Sequence, residues 1–117
     1  MYVENYVGKV TKSNLKLFSY FSQVMQSYAL KTAIDALRTT PSCMGSLYWQ
    51  LNDVWPVSSW STVDYYGMYK AAHYTARASY EPIYTTVVLK NSTYLIYVIN
   101  NDIKTISGTL KYTIMDF

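Results

Sequence analysis

Three tryptophans, Trp49, Trp55 and Trp60, fall within twelve residues and are the only tryptophans of this 117-residue chain. Two polar side chains, Asn52 and Asp53, lie between the first two. An indole face can stack on the apolar C–H face of a sugar ring, while nearby amides and carboxylates bind its hydroxyls. The residues alone also fit a packed core followed by a turn. From the residues alone, core filling is favoured for Trp49. For Asn52 and Asp53, capping a turn and binding sugar hydroxyls are about equally expected.

The other reactive side chains indicate no catalytic or metal site. His73 is the only histidine, and no serine or cysteine partner is marked by spacing, so we interpret it as a packed or surface residue. Cys43 is the only cysteine, which excludes an internal disulfide and a thiolate zinc cluster and favours a small buried hydrophobe. We expect no metal and no cofactor.

Composition excludes several classes of partner. The net charge of +3 comes from scattered lysines and arginines, which favours a solvated face over a nucleic-acid or membrane surface. Half of the chain is hydrophobic, and no stretch is long and apolar enough to span a bilayer. Aromatics reach 17%, which suits either a tyrosine-rich core or a sugar-binding surface. The length fits one small domain or a fragment of a larger one.

Two helices and one strand are expected before Pro82. An apolar stripe predicts a helix from an N-cap at Ser13 to Arg38, with Pro41 preventing continuation. Residues 45–51 predict a short buried strand that ends at Asn52. A second helix is expected from Asp64 to about residue 80. The stripe, interpreted as core, consists of Leu15, Phe18, Met25, Ala29, Ala33, Ala36 and Leu37.

The pattern after Pro82 is that of an antiparallel meander. Residues 84–90, 93–100 and 105–114 are rich in β-branched and aromatic side chains and predict three strands. The change of pattern predicts a domain boundary, with one domain over residues 1–81 and another over 82–117. The sequence Asn91-Ser92-Thr93 fits the N-glycosylation acceptor pattern in an exposed turn, although a chance match in a hairpin turn is at least equally expected.

A long run of motifs resembles the β-mannosidases of glycoside hydrolase family 2. The run includes LYWQLND at 47–53, followed by Trp55-Pro56 and Ser59-Trp60. The resemblance covers about the first two-thirds of the chain. The matching positions are residues 22–26, 31–34, 43–45, 47–53, 55–56, 59–60, 64–67 and 70–74.

The resemblance implies a fold of α/β plus β type. The helix, strand and helix would be the terminal part of a TIM (β/α)₈ barrel, followed by the first antiparallel strands of an Ig-like β-sandwich, both truncated. Ligand sites of such barrels lie at the C-terminal ends of the strands. Trp49, Asn52, Asp53 and Trp60 are therefore the implied substrate-binding residues, whereas Trp55 is expected to pack beneath the loop with Pro56.

No catalytic residue is assigned. Retaining glycosidases need two carboxyl groups about 5–5.5 Å apart, and in the family both belong to glutamates at the ends of barrel strands. This chain has only Glu4 and Glu81. Neither stands in a matching motif.

The function implied by the resemblance is hydrolysis of terminal non-reducing β-D-mannose with retention of configuration. The chain itself is expected to be an inactive fragment that lacks both glutamates, its partners being a mannose-containing oligosaccharide and the remainder of the barrel. A lysosomal or secreted location is implied. The alternative is a non-catalytic carbohydrate-binding or interaction module with an aromatic sugar platform.

Overall fold

Four regular elements organise the chain in the computed structural model, which describes residues 4–5, 8 and 14–116. Helix α1 spans Leu15–Arg38 and helix α2 spans Ala71–Ser79. Strands β1 (Ile83–Lys90) and β2 (Thr93–Asn100) follow. Residues 39–70 connect the two helices with turns and isolated bridges, and they carry all three tryptophans.

Helix α1 begins and ends close to the predicted positions. Its N-cap is Asn14, whose Oδ1 accepts a hydrogen bond from the Leu17 amide at 3.0 Å. The predicted cap, Ser13, lies outside the described residues. Arg38 stands in the last turn, where a cation complements the negative helix end. Pro41 prevents further helix because it lacks an amide donor.

The apolar stripe of α1 was predicted to be core, and this prediction is wrong for much of its length. Leu15, Ala29 and Ala33 are exposed, while Ile34 and Asp35 are the buried residues of the helix. Helix α1 packs on α2 and touches β1. These neighbours cover the face that carries Ile34, so the stripe finds no comparable cover in the described part of the chain.

The strand predicted over residues 45–51 does not form. A strand needs a neighbour that satisfies its backbone groups along its length. Here one parallel bridge joins Asn52 to Val63. The Val63 amide donates to the Leu51 carbonyl at 2.8 Å, and the Thr62 amide donates to the carbonyls of Gln50 and Leu51 at 3.1 Å, so only the end of the predicted strand is paired. The Trp49–Gln50 peptide bond in this segment is cis.

Helix α2 starts later than predicted. Asp64 does cap a backbone turn, because its Oδ1 accepts from the amides of Tyr66 at 2.9 Å and Met68 at 2.8 Å. This turn includes Gly67 at φ +78°, a conformation that suits glycine. It separates Asp64 from the helix, which begins at Ala71.

The small residues Ala72 and Ala76, together with Ser79, form the buried face of α2. The spacing of four between the two alanines places them on one helix face, and their size lets the two helices approach closely. A hydrogen bond between the hydroxyls of Ser27 and Thr75 crosses this contact.

Strands β1 and β2 form the expected hairpin. Lys90 pairs with Thr93, which leaves Asn91 and Ser92 as a two-residue loop. Both loop residues have positive φ, 50° and 60°, as a type I′ turn requires. The third predicted strand is wrong, since residues 105–114 pair with neither strand. Their β-branched composition favours a strand but supplies no partner for it.

Polar contacts of Asp35 and Arg38 help to join α1 to the hairpin region. The buried carboxylate of Asp35 accepts from the Tyr84 hydroxyl at 2.7 Å and the Thr86 hydroxyl at 2.8 Å. The guanidinium of Arg38 donates to the carbonyl of Glu81 at 2.9 Å and to Asn101 Oδ1 at 2.7 Å, and also to the Ser79 carbonyl.

Among the described residues, no helix combines the length and the apolar character that crossing a membrane requires.

Candidate functional site

Trp49 and Trp60 line the same hollow between α1 and the connecting segment. Its volume is about 280 Å³, close to the lower end of the roughly 300–1,000 Å³ range of ligand pockets. The structure thus brings together two of the four sequence-predicted site residues. The complete lining consists of Gln26, Ala29, Leu30, Ala33, Tyr48, Trp49, Trp60 and Thr62.

Both indoles of the hollow are accessible. Trp49 is 77% exposed and Trp60 is 65% exposed, so a ring face is available to a ligand in each case. Trp55 was expected beneath the loop with Pro56, but it is 63% exposed and does not line this hollow. The core-filling interpretation of Trp49 is therefore not what the described structure shows.

Asp53 is the centre of a hydrogen-bonded cluster that holds residues 53–61. Its Oδ1 accepts from the Ser59 hydroxyl at 2.6 Å, and its Oδ2 accepts from the Ser61 hydroxyl at 2.6 Å. The ammonium of Lys70 lies 3.5 Å from Oδ2 and donates to Ser61 Oγ at 2.8 Å. The Asp53 side chain is only 2% exposed, so these groups replace water around the carboxylate.

These contacts favour the ionised form of Asp53. The hydrogen bonds from Ser59 and Ser61 lower the pKa of the carboxyl, with a smaller opposing effect of desolvation and a further lowering by Lys70. The ionised carboxylate of Asp53 therefore stabilises the loop of residues 53–61 through its bonds to Ser59 and Ser61. Its role in binding sugar hydroxyls remains a prediction.

Asn52 lies beside the cluster but is exposed. Its side-chain amide donates to the Asp53 carbonyl at 3.3 Å, and its own carbonyl accepts from Gln50 Nε2 at 2.9 Å. Asn52 does not line the hollow of Trp49 and Trp60. A role in substrate binding therefore also remains a prediction.

Two glutamines of α1 make long-range contacts that were not identified from the sequence, and Gln26 lines the hollow. Gln26 Nε2 donates to the Trp60 carbonyl at 2.6 Å and to the Ser61 carbonyl at 3.3 Å. Gln23 Oε1 accepts from the Ala71 amide at 3.1 Å, at the start of α2. Their spacing of three puts both on one helix face, and both lie in the matching run 22–26, but neither signal indicates which groups they contact.

His73 takes part in a packed arrangement. Its ring stacks on Tyr69 with centroids 4.3 Å apart, and its Nδ1 lies 3.3 Å from the Thr62 hydroxyl. Thr62 also contacts the hydroxyl of Tyr48 at 3.1 Å. This agrees with the interpretation of His73 as a packed residue. Within the described residues, no group of three or more His, Cys, Asp or Glu side chains is arranged to hold a metal ion.

The chain was compared with family models and with individual known proteins. No family model matches the chain, whereas individual β-mannosidases do. The β-mannosidase of Bos taurus is 42% identical over 72 residues, which cover 55% of this chain and 8% of the bovine protein. The β-mannosidase A of Aspergillus clavatus is 33% identical over an alignment that covers 99% of this chain and 14% of the fungal protein.

A solved structure agrees with the sequence relatives. The crystal structure of the β-D-mannosidase of Dictyoglomus thermophilum matches with a TM-score of 0.76 and 34% identity, covering 85% of this chain and 13% of that protein. The chain thus spans between 8% and 14% of the length of these proteins. Along nearly its whole length, it resembles one segment of the β-mannosidases.

Proposed function

We propose that this chain is part of a family 2 glycoside hydrolase that removes terminal non-reducing β-D-mannose from oligosaccharides with retention of configuration. The observation that carries the proposal is the hollow lined by Trp49 and Trp60. It lies in a chain that aligns with a β-mannosidase over 99% of its length. Two accessible indoles can stack on the C–H faces of a mannose ring.

The proposal assigns residues 1–81 to the end of a (β/α)₈ barrel and residues 82–117 to the beginning of an Ig-like sandwich. Support comes from the packed pair of helices before Pro82 and from the antiparallel hairpin after it. The absence of neighbouring barrel strands would also explain why residues 45–51 form no regular strand here, since a strand needs partners along its length.

The isolated chain is proposed to be catalytically inactive. Retention requires a nucleophile and an acid/base, two carboxyl groups about 5–5.5 Å apart. Neither Glu4 nor Glu81 lines the hollow of Trp49 and Trp60. Asp53 lies near but has both oxygens bonded within its cluster. The two glutamates would come from other segments of the whole protein.

Two proteins test the proposed function. The isolated chain is expected not to hydrolyse an aryl β-mannoside. A chimera in which this chain replaces the matching 14% of the Aspergillus clavatus β-mannosidase A is expected to hydrolyse it. Hydrolysis by the isolated chain, or a folded chimera without β-mannosidase activity, would contradict the proposal.

A titration separates the proposal from a binding-module function. Manno-oligosaccharide is added to the isolated chain while tryptophan fluorescence is recorded. An incomplete barrel predicts no response, because it provides only part of the sugar's surroundings. Saturable binding would instead favour a non-catalytic carbohydrate-binding module.

We further propose a lysosomal or secreted location for the whole protein, with Asn91 as a glycan acceptor. Asn91 is exposed at the tip of the hairpin, where a glycan would not meet packed side chains. A mass shift on treatment with a glycosidase specific for N-glycans, absent in Asn91→Gln, would test the acceptor after expression through a secretory pathway.

A further inference from the structure

We propose that Gln26 and Lys70 are positioning residues of the candidate sugar site. They anchor residues 53–61 to the two helices and thereby hold Trp60 in the wall of the hollow that Trp49 also lines. The inference rests on the proposed function for its consequence, the binding of a mannose ring. The anchoring itself can be measured without any sugar.

The first anchor comes from α1. Gln26 is half-buried and lines the same hollow as Trp49 and Trp60. Its side-chain amide donates to the carbonyl of Trp60 at 2.6 Å and to the carbonyl of Ser61 at 3.3 Å. The bonds join the helix directly to the backbone that carries one of the two indoles.

The second anchor stands immediately before α2. The side chain of Lys70 is 16% exposed, and its ammonium donates to Ser61 Oγ at 2.8 Å beside the Asp53 carboxylate. The Lys70 amide also donates to the Thr62 carbonyl at 2.9 Å. Burying an ammonium is unfavourable unless charged and polar partners replace its water. Asp53 and Ser61 supply those partners, and so fix the loop relative to α2.

Apolar burial cannot fix this loop by itself. Val54 is 80% exposed and Val57 is 39% exposed, and Trp55 is exposed as well. Burial stabilises in proportion to the apolar area removed from water, and little is removed here. The position of Trp60 therefore depends on polar contacts. The backbone bonds of Thr62 hold the end of the loop to the preceding segment, and the anchors at Gln26 and Lys70 hold it to the helices.

Time-resolved fluorescence anisotropy tests the anchoring in the full chain. Trp49→Phe and Trp55→Phe leave Trp60 as the sole tryptophan. In this background, Gln26→Met and Lys70→Met remove the donors with little change in side-chain length. We expect each to raise the amplitude of fast local depolarisation about twofold. Lys70→Arg, which keeps a cationic donor, should restore the original amplitude.

Matched controls lie away from the loop. Lys90→Met removes an exposed lysine at the end of β1, and Thr32→Val alters an exposed position of α1. Both should leave the depolarisation of Trp60 unchanged, and far-UV circular dichroism should show that every variant keeps its helices. If Gln26→Met and Lys70→Met behave like the controls, the proposal is wrong.

Kinetics in the chimera distinguish positioning from a general loss of folding. A misplaced pocket wall weakens ground-state and transition-state binding alike, so Lys70→Met should raise KM about fivefold with kcat little changed. A purely structural role would lower the concentration of folded enzyme, and hence the apparent kcat at constant KM. That second pattern would overturn the proposal. An inactive chimera would contradict the proposed function, while the anisotropy result would still decide the anchoring.

Discussion

An indole ring can serve a binding site only where its face is open to a ligand, and the three tryptophans differ in where they stand. Trp49 and Trp55 are both exposed, at 77% and 63%, but only Trp49 lines the hollow with Trp60. This makes Trp55 a matched control for any effect of removing an exposed indole.

We expect Trp49→Ala in the chimera to lower kcat/KM for an aryl β-mannoside about tenfold, equivalent to about 1.4 kcal/mol of lost stacking. Trp55→Ala should change it less than about threefold. Steady-state kinetics measure both. Equal losses in the two variants would show that the hollow has no special part in sugar binding.

Two carboxylates make the stability of the chain depend on pH. Burial raises the pKa of Asp35, but hydrogen bonds from Lys31, Tyr84 and Thr86 outweigh this effect and leave the pKa below its usual value. The pKa of Asp53 is also lowered, chiefly by Ser59 and Ser61. Between the lowered pKa values and the usual value of about 4, the unfolded chain therefore binds more protons than the folded chain.

The contribution of both carboxylates to the free energy of unfolding is accordingly full above about pH 4 and is lost as pH falls through the lowered pKa values. Urea midpoints measured from pH 6 to pH 2.5 should fall on acidification. The double variant Asp35→Asn, Asp53→Asn should be less stable at pH 6 and less sensitive to pH. A midpoint that does not vary over this range would contradict the assignment.

Sequence reasoning indicated two residues of the candidate site and missed the side chains that support them. Trp49 and Trp60 were implied by the resemblance to the β-mannosidases, whereas the residues alone favour core filling for Trp49, and their role in sugar binding stays a prediction. Gln26 contacts a carbonyl 34 positions away in the chain. Lys70 likewise contacts Ser61 and Asp53, which lie 9 and 17 positions away in the chain. No local pattern encodes such contacts, which depend on how α1 packs against the connecting segment.

At the scale of elements, the first turn of α2 depends on a residue of α1. Lys70 is the N-cap of α2 but forms no side-chain capping bond, whereas Gln23 Oε1 accepts from the Ala71 amide. A free backbone amide at a helix start is normally satisfied by its own cap residue. Here the partner helix supplies the acceptor.

Gln23→Ala should therefore destabilise α2 by about 1 kcal/mol, while α1 itself tolerates alanine well. Amide hydrogen exchange in the first turn of α2 should become about fivefold faster. Thr32→Ala, on the exposed face of α1, serves as the control and should leave this exchange unchanged. Protection that persists in Gln23→Ala would exclude the shared cap.

The elements that the sequence predicts correctly are those determined by local signals. Helix α1 has a cap, a terminal cation and a proline stop, and the hairpin has a two-residue turn between alternating strands. Residues 45–51 and 105–114 have strand composition without a partner strand in the described structure. Strand propensity indicates a surface suited to pairing, but pairing itself depends on distant residues.

In the part of the chain that the structure describes, many large apolar side chains are exposed and few apolar side chains are buried. Within the described residues, the buried apolar side chains are Ile34, Ala72 and Ala76. Leu47 is fully exposed, and Met44 is 97% exposed. Exposed apolar patches of this kind are typical of surfaces that associate.

We expect the purified chain to form oligomers or to precipitate as its concentration rises. Sedimentation velocity over a range of concentrations measures this association directly. A chain that remains monomeric at every concentration and unfolds in one sharp cooperative transition would contradict the expectation.

Arg38 has a mechanical consequence for the proposed junction at Pro82. Its guanidinium holds the end of α2, the Glu81 carbonyl and Asn101 beyond the hairpin at the same time. Bending the chain at the junction would have to break these charge-assisted bonds together. The hairpin and the helices should consequently move as one rigid body. A hinge between domains of the whole protein would then have to lie outside this junction.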